Sequence, residues 1–323
     1  MAAPFNYQIF NNVTDRETFL NNIRNVATAN GWTIDKDDIS ANQELYLHSN
    51  GNGNQNLYFS MKVDYYYVAD YMFIQGNTGF DANSTWDNQP GKFTSPNAYA
   101  DNNYYRAMPY LWFPIQKQYI LVNSQMILVF CDMVSTSPIL TGRVVTHFVL
   151  GAIDTYKDSD TEGNLIITYQ IAYKCLTYNG GFGGYSSDIL GTRLYNNTAS
   201  RDFGLLYYST NKFNTDLGIS VHIVSDCGHG DYTIGSKGYQ YTHAVQFNDW
   251  ASRTSLIKPI VSIKHTTTED VFFYPIGELP YYACKAYPYY KAGDIITQGT
   301  RNFMVFPILE YTNEYGVAIE VNV

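Results

Sequence analysis

A chain of 323 residues that is 45% hydrophobic and 16% aromatic is long and apolar enough for one large core or two ordinary ones. Only 15% of its residues are charged, and 31 are Tyr and 18 Phe, which excludes a coiled coil and a disordered acidic chain. The net charge of -9 gives no field to attract phosphates, so nucleic acid is not the expected partner.

Chain order gives one helix and then strands. Thr14 as N-cap and Glu17 three positions on form a capping box; Phe19, Leu20, Ile23, Val26 and Ala27 recur at helical spacing, and Asn30-Gly31 supplies the stop. The expected helix covers about 14–30, with one apolar face laid on a sheet and Trp32 and Ile34 leading into the core. Strands are expected at Leu45–His48 and Leu57–Val63, joined through the polar loop Asn50–Asn56. Two more are expected at Tyr119–Val122 and Gln125–Cys131, separated by Asn123-Ser124. The run Met126–Cys131 does not alternate, as befits a strand covered on both faces.

Further strands are expected at Val144–Leu150, Leu165–Tyr173, Ile219–Val224, Ile260–Ile263, Val271–Tyr274, Phe303–Phe306 and Val317–Val323, the last with Val317, Ile319, Val321 and Val323 on one face. Between them, 75–107 and 177–203 lose periodicity and fill with Asn, Gly and Ser around a few aromatics. Ordering such stretches costs roughly 1–2 kcal/mol per residue in backbone entropy, so they are expected to be contact arms that grip a neighbouring subunit. The resulting fold class is mainly β: an antiparallel, sandwich-like body with one N-terminal amphipathic helix and long irregular loops, forming a single domain over 1–323.

No constellation carries a recognisable chemistry. His222, Asp226, Cys227, His229, Asp231 and His243 lack a complete tetrahedral ligand set, and Asp158, Asp160 and Glu162 lead to Tyr169 where a calcium loop needs Glu. Gly235-Ser236-Lys237-Gly238 lacks the spacing of a nucleophile elbow, and Asn179–Gly184 is not followed by the Lys of a phosphate loop. The expectation is no catalytic residue, no metal and no cofactor. Cys131, Cys175, Cys227 and Cys284 are widely spread and are expected to be free, buried thiols.

The strongest compositional signal is tyrosine, often in adjacent copies. Neighbouring strand residues point to opposite faces, so one of each pair should approach the surface, where Tyr buries area and keeps its hydroxyl bonded. Candidate interface residues are Tyr65, Tyr67, Phe80, Trp86, Phe93, Tyr104, Tyr105, Phe182, Tyr281 and Tyr289. Of these, Phe80, Trp86, Phe93, Tyr104, Tyr105 and Phe182 lie in the two expected arms, and Phe80, Trp86, Phe93 and Phe182 are the expected anchors in the next subunit.

Three segments resemble tailed-bacteriophage virion structural proteins. The helix from Asp15 that ends in Asn30-Gly31-Trp32-Thr33-Ile34-Asp35 is similar to their start, and His147–Asp154 resembles their central strand, with Gly151 and Ala152 before an acidic turn. Phe303–Pro307 with Tyr315–Val321 resembles their terminus. The resemblance implies a non-enzymatic virion subunit of the neck, tail or baseplate, forming a ring or collar. Its implied partners are other copies of itself and adjacent virion proteins, without membrane or sequence-specific nucleic acid. It would be made in the host bacterial cytoplasm. The alternative is a receptor- or carbohydrate-binding protein of the tail tip or fibre, using the same aromatic faces.

Overall fold

The computed structural model describes residues 3–51, 56–66, 69–90, 110–135, 142–152, 154–156, 165–173, 195–196, 200–201, 205–207, 220–223, 256–258, 260–266, 271–278, 281–285, 290–307 and 315–323. The chain begins with β1 (Asn6–Val13), α1 (Arg16–Ala29), β2 (Thr33–Asp38) and the one-turn α2 (Ile39–Asn42). Then come β3 (Glu44–Ser49), β4 (Leu57–Tyr66), β5 (Ala69–Asn77), a 3-10 turn at Trp86–Asn88 and β6 (Tyr110–Leu111). Next are β7 (Ile115–Val122), β8 (Met126–Ser135), β9 (Gly142–Gly151), β10 (Asp154–Thr155) and β11 (Leu165–Tyr173). Short strands follow: β12 (Tyr195–Asn196), β13 (Ser200–Arg201), β14 (Leu205–Tyr207), β15 (Ser220–Ile223) and β16 (Leu256–Ile257). The last six are β17 (Ile260–Thr266), β18 (Val271–Glu278), β19 (Tyr282–Lys285), β20 (Asp294–Gln298), β21 (Arg301–Pro307) and β22 (Tyr315–Val321).

These strands form an antiparallel, mainly β architecture, as the sequence leads one to expect. The first sheet has the order β1-β7-β8-β9-β11-β14, the second β2-β3-β4-β5-β6 and the third β16-β19-β22-β21-β20. A four-stranded sheet β10-β18-β17-β15 and the pair β12-β13 complete the set. The main core joins the first two sheets with α1: Phe19, Leu20 and Ile23 of the helix meet Leu45, Leu47 and Phe59 of the second sheet and Ile120, Ile127 and Val129 of the first. The third sheet covers the other face of the first. There the Phe130 and Phe306 rings stack at 3.9 Å and 4°, and Tyr119 meets Phe306 edge-on at 5.1 Å.

The unalternating run in β8 now has its physical reason. Ile127, Val129, Cys131 and Met133 enter the core shared with the second sheet, while Phe130 faces the third, and all are buried. The turn before it is pinned by Asn123, whose Oδ1 accepts the Gln125 and Met126 amides at 2.9 and 2.8 Å, while its carbonyl accepts the Trp32 indole N–H at 2.8 Å. Gly151 in β9 closes on that turn at φ +145, where a Cβ would lie 2.2 Å from the Gln125 carbonyl oxygen. Gly293, at φ +89, gives the same close approach between sheets, since a Cβ there would lie 2.7 Å from the Tyr119 ring. The Tyr119 hydroxyl donates to the neighbouring Ala292 carbonyl at 3.0 Å.

The helix needs one correction. Its N-cap is Asp15 and not Thr14: Asp15 is extended (φ -156, ψ 172) and its carboxylate accepts the Thr18 amide at 2.7 Å. A carboxylate outcompetes a neighbouring hydroxyl for a backbone N–H, so Thr14 instead donates to Asp15 at 2.7 Å and Glu17 closes no capping box. The C-terminal stop is as expected. Asn30 caps through its amide to Ala27 and Thr28, Gly31 has φ +89, and Trp32 turns into the core.

Both ends of the described chain meet. Phe5 donates to the Glu320 carbonyl at 2.8 Å and accepts from the Asn322 amide at 2.9 Å, a parallel bridge beside β22. Asn322 Nδ2 also donates to Asn6 Oδ1 at 2.8 Å.

Candidate functional site

The richest non-apolar cluster lies on the outer face of the second sheet. Leu45 and Leu47 of β3 point into the core, so the period of two sends Glu44, Tyr46 and His48 outward. In register with them stand Lys62, Ser60 and Tyr58 on β4, and Gln75 and Asn77 follow on β5. The segment 78–90 folds back over this face.

Tyr46 is the centre. Its hydroxyl donates to Glu44 Oε2 at 2.7 Å, and Lys62 Nζ lies 3.6 Å from Glu44 Oε1. The Phe80 and Trp86 rings stand 5.5 and 6.0 Å from its own, and Lys36 Nζ lies 5.4 Å above it. Burial, reinforced by the adjacent Glu44 carboxylate, pushes the Tyr46 hydroxyl well above the ordinary phenol range, so it serves as a permanent donor. Below it, Asn77 Nδ2 donates to Ser60 Oγ at 2.7 Å, and Gln75 Nε2 donates to Asn77 Oδ1 at 3.2 Å and to the Trp86 carbonyl at 2.8 Å.

The covering segment is pinned by one side chain. Gln89 Oε1 accepts the Asp81 amide at 3.0 Å, and Gln89 Nε2 donates to the Asp81 and Ser84 carbonyls at 3.1 and 3.0 Å. Asp81 in turn caps a tight turn through the Asn83 amide and the Ser84 hydroxyl, which hold its carboxyl below the usual range. Thr78 closes the base by donating to the Pro90 carbonyl at 2.9 Å.

The expected interface residues that the structure describes separate into three groups. Tyr65, near the end of β4, is 60% exposed and free to meet a neighbour. Phe80 and Trp86 are half-buried on Tyr46 of their own chain, so 78–90 has contacts within the chain that the expectation of an arm did not include. Tyr281 is a correction of another kind: at 3% exposure it lies inside the chain, while the adjacent Tyr282 is the half-exposed member of the pair, beneath Arg301. Tyr67, Phe93, Tyr104, Tyr105, Phe182 and Tyr289 lie outside the described residues, as do 91–107 and all but short strands of 177–203.

Two further polar groups were not singled out from the sequence. His48 Nδ1 lies 2.7 Å from Asp35 Oδ1, and its ring stacks on Tyr58 at 4.9 Å. Lys258 Nζ bridges Asp154 at 3.3 Å and Glu278 at 3.0 Å, and Tyr156 donates to Glu278 at 3.2 Å. Burial works against the Lys258 ammonium, but Glu278 and Asp154 outweigh it and hold its pKa above the ordinary value. Its partners lie more than 100 positions before it and 20 after it, a pairing that no local pattern announces.

Cys131 and Cys284 are free and buried, with burial pushing the Cys284 thiol up to about 12. Such thiols are poor nucleophiles at neutral pH. Among the described residues no three His, Cys, Asp or Glu side chains are grouped to hold a metal ion, and no helix is long and apolar enough to cross a membrane. The Asp226–His243 cluster, the acidic turn at 158–163, Cys175 and Cys227 lie outside the described residues. No protein-family model matches the chain, and no curated protein is significantly similar to it in sequence.

Proposed function

We propose that the chain is a non-enzymatic structural subunit of a tailed-phage virion, assembling with other copies of itself as a ring or collar at the neck or in the tail. The observation that carries the reading is how the polar side chains are employed. Tyr46, Glu44, Gln75, Asn77 and Gln89 bond to one another and to backbone, which makes the outer face of the second sheet a rigid platform with its aromatics already placed. The junction of Phe5 with β22 ties the start of the first sheet to the third by two backbone hydrogen bonds. Tyr65, exposed near the end of β4 with the same parity as the core-facing Leu57, Phe59, Met61 and Val63, lies on the face opposite the platform and is of the type enriched at interfaces. The helix, Gly31, the buried Trp32 and β2 follow one another in the segment on which the resemblance to such proteins rests.

The test is to image purified protein by electron microscopy and to label purified virions with antibody raised against it. Rings of one diameter and labelling at neck or tail are expected. Unassembled protein that binds immobilised glycans, with label at the fibre tips, would overturn this reading in favour of a tail-tip receptor binder.

A further inference from the structure

We infer that the free edge of β1 is a self-pairing surface, through which two copies join their first sheets across a twofold axis centred on Ile9. The direction of the β1 backbone groups follows from two independent bonds. Asn123 N–H pairs with Met126 O, on the β8 side of β7. Alternation along β7 then turns Val122, Ile120 and Gln118 toward β1, where they face Asn6, Gln8 and Phe10. At the other end Phe5 spends its N–H and C=O on β22, away from β7. Both routes give the same parity: the N–H and C=O of Tyr7, Ile9 and Asn11 point outward, and β1 has only β7 as neighbour among the described strands.

This window is bounded by β22 at Phe5, with Asn322 bonded to Asn6 beyond it, and by Asn12, whose φ is +54, so the pairing runs over Tyr7–Asn11 and each strand leaves the shared edge at Asn12. Natural edge strands are protected against such pairing by charge, proline, bulges or shortness. β2, the edge of the second sheet, has all but proline and shortness: Asp35, Lys36, Asp37 and Asp38, with a bulge between Ile34 and Lys36. β20, at the edge of the third, is five residues long and opens on Asp294. β1 is eight residues long, Asn-Tyr-Gln-Ile-Phe-Asn-Asn-Val, with neither charge nor proline, and Ile9 is 40% exposed on it.

The occupant is a second copy: β1 carries no charge, so two copies of a chain of net charge -9 can meet along it without setting like charges opposite one another. The strand is also self-complementary. Antiparallel pairing centred on Ile9 sets Ile9 against its twin and Tyr7 against Asn11, each pair exchanging N–H and C=O, and it sets Gln8 against the half-buried Phe10. An isologous contact of this kind is distinct from the head-to-tail contact that closes a ring, so it stands or falls independently of the virion reading.

Sedimentation of the full chain over a range of concentrations is expected to show a monomer–dimer equilibrium. Ile9→Lys and Ile9→Glu each set like charges opposite one another and should raise the dimer dissociation constant about tenfold or more. An equimolar mixture of the two variants should dimerise again, because the opposed side chains are then complementary. In the unaltered chain, hydrogen exchange at the Tyr7, Ile9 and Asn11 amides should slow as concentration rises, a readout that needs no variant to fold. Wild-type protein that stays monomeric, a dimer indifferent to both substitutions, no rescue in the mixture, or concentration-independent exchange at those three amides would each overturn the proposal.

Discussion

Two buried regions of this molecule are held by opposite means. Between the first and third sheets, Phe130, Tyr119 and Phe306 fill space with rings, and the attraction is largely non-directional. Over the second sheet, Ser60, Gln75, Asn77 and Gln89 are equally enclosed, yet each is fixed by named donors and acceptors. The first kind of burial tolerates substitution by shape, whereas the second fails when one partner is lost, because the remaining group stays buried without a bond. The inner layers therefore set how stable the body is, and the platform sets which single conformation 78–90 adopts.

The largest effect should come from the apolar side. Phe130→Ala leaves a cavity against Phe306 and is expected to lower unfolding free energy by about 3–5 kcal/mol in denaturant titration. A double-mutant cycle with Phe306→Leu should show coupling of about 0.5–1.5 kcal/mol, the share that belongs to ring geometry rather than area. Gln89→Ala tests the polar side. The expected loss is about 1–3 kcal/mol, accompanied by proteolytic cleavage within 78–90 under conditions where the sheets remain folded. Equal cleavage of variant and wild type there would mean that Phe80 and Trp86 on Tyr46 hold the segment unaided.

A smaller effect belongs to the helix start. Asp15→Ala should cost about 0.5–2 kcal/mol, and Thr14→Ala clearly less, since Thr14 only supports the cap. The Thr18 amide and the Thr14 hydroxyl hold the Asp15 carboxyl below its ordinary value. A depressed folded pKa means that this contribution is present above the unfolded value of about 3.9 and is lost as pH falls through the folded one. Thermal melts of wild type and Asp15→Ala should therefore converge toward acid pH. The smallest effect is expected from Arg301→Ala. Arg301 is itself exposed, although Glu320 and Tyr282 are half-buried and Phe303 is buried, so the loss should stay within about 1 kcal/mol and shrink with salt.

How much of this was legible in the sequence depends on whether a signal is local. α1, the β3–β4 and β7–β8 hairpins and the two-sided burial of β8 are written in runs of neighbouring residues, and the structure has them all. β1 was missed because an edge strand with most side chains in water has neither alternation nor an apolar run. The expected irregular region takes in the last three residues of β5, because Gln75 and Asn77 have loop character in sequence and are held in the strand by bonds to the Trp86 carbonyl and Ser60, which come from elsewhere in the chain. The platform itself was half legible: Leu45 and Leu47 place Tyr46 outward, but its partners Phe80 and Trp86 arrive from a separate segment. Tyr281 went the other way, because composition tells that a tyrosine pair divides between two faces and not which member goes inside.

The parallel contact of Phe5 with β22 joins positions more than 300 residues apart through two backbone hydrogen bonds. In kinetic terms this is the most non-local closure in the described fold. Its loop entropy can be met only after the intervening sheets have shortened the path, so it forms late and opens early. Opening it would release the first residues from β22 while β1 remains zipped to β7, so the fold can loosen at this seam without unfolding.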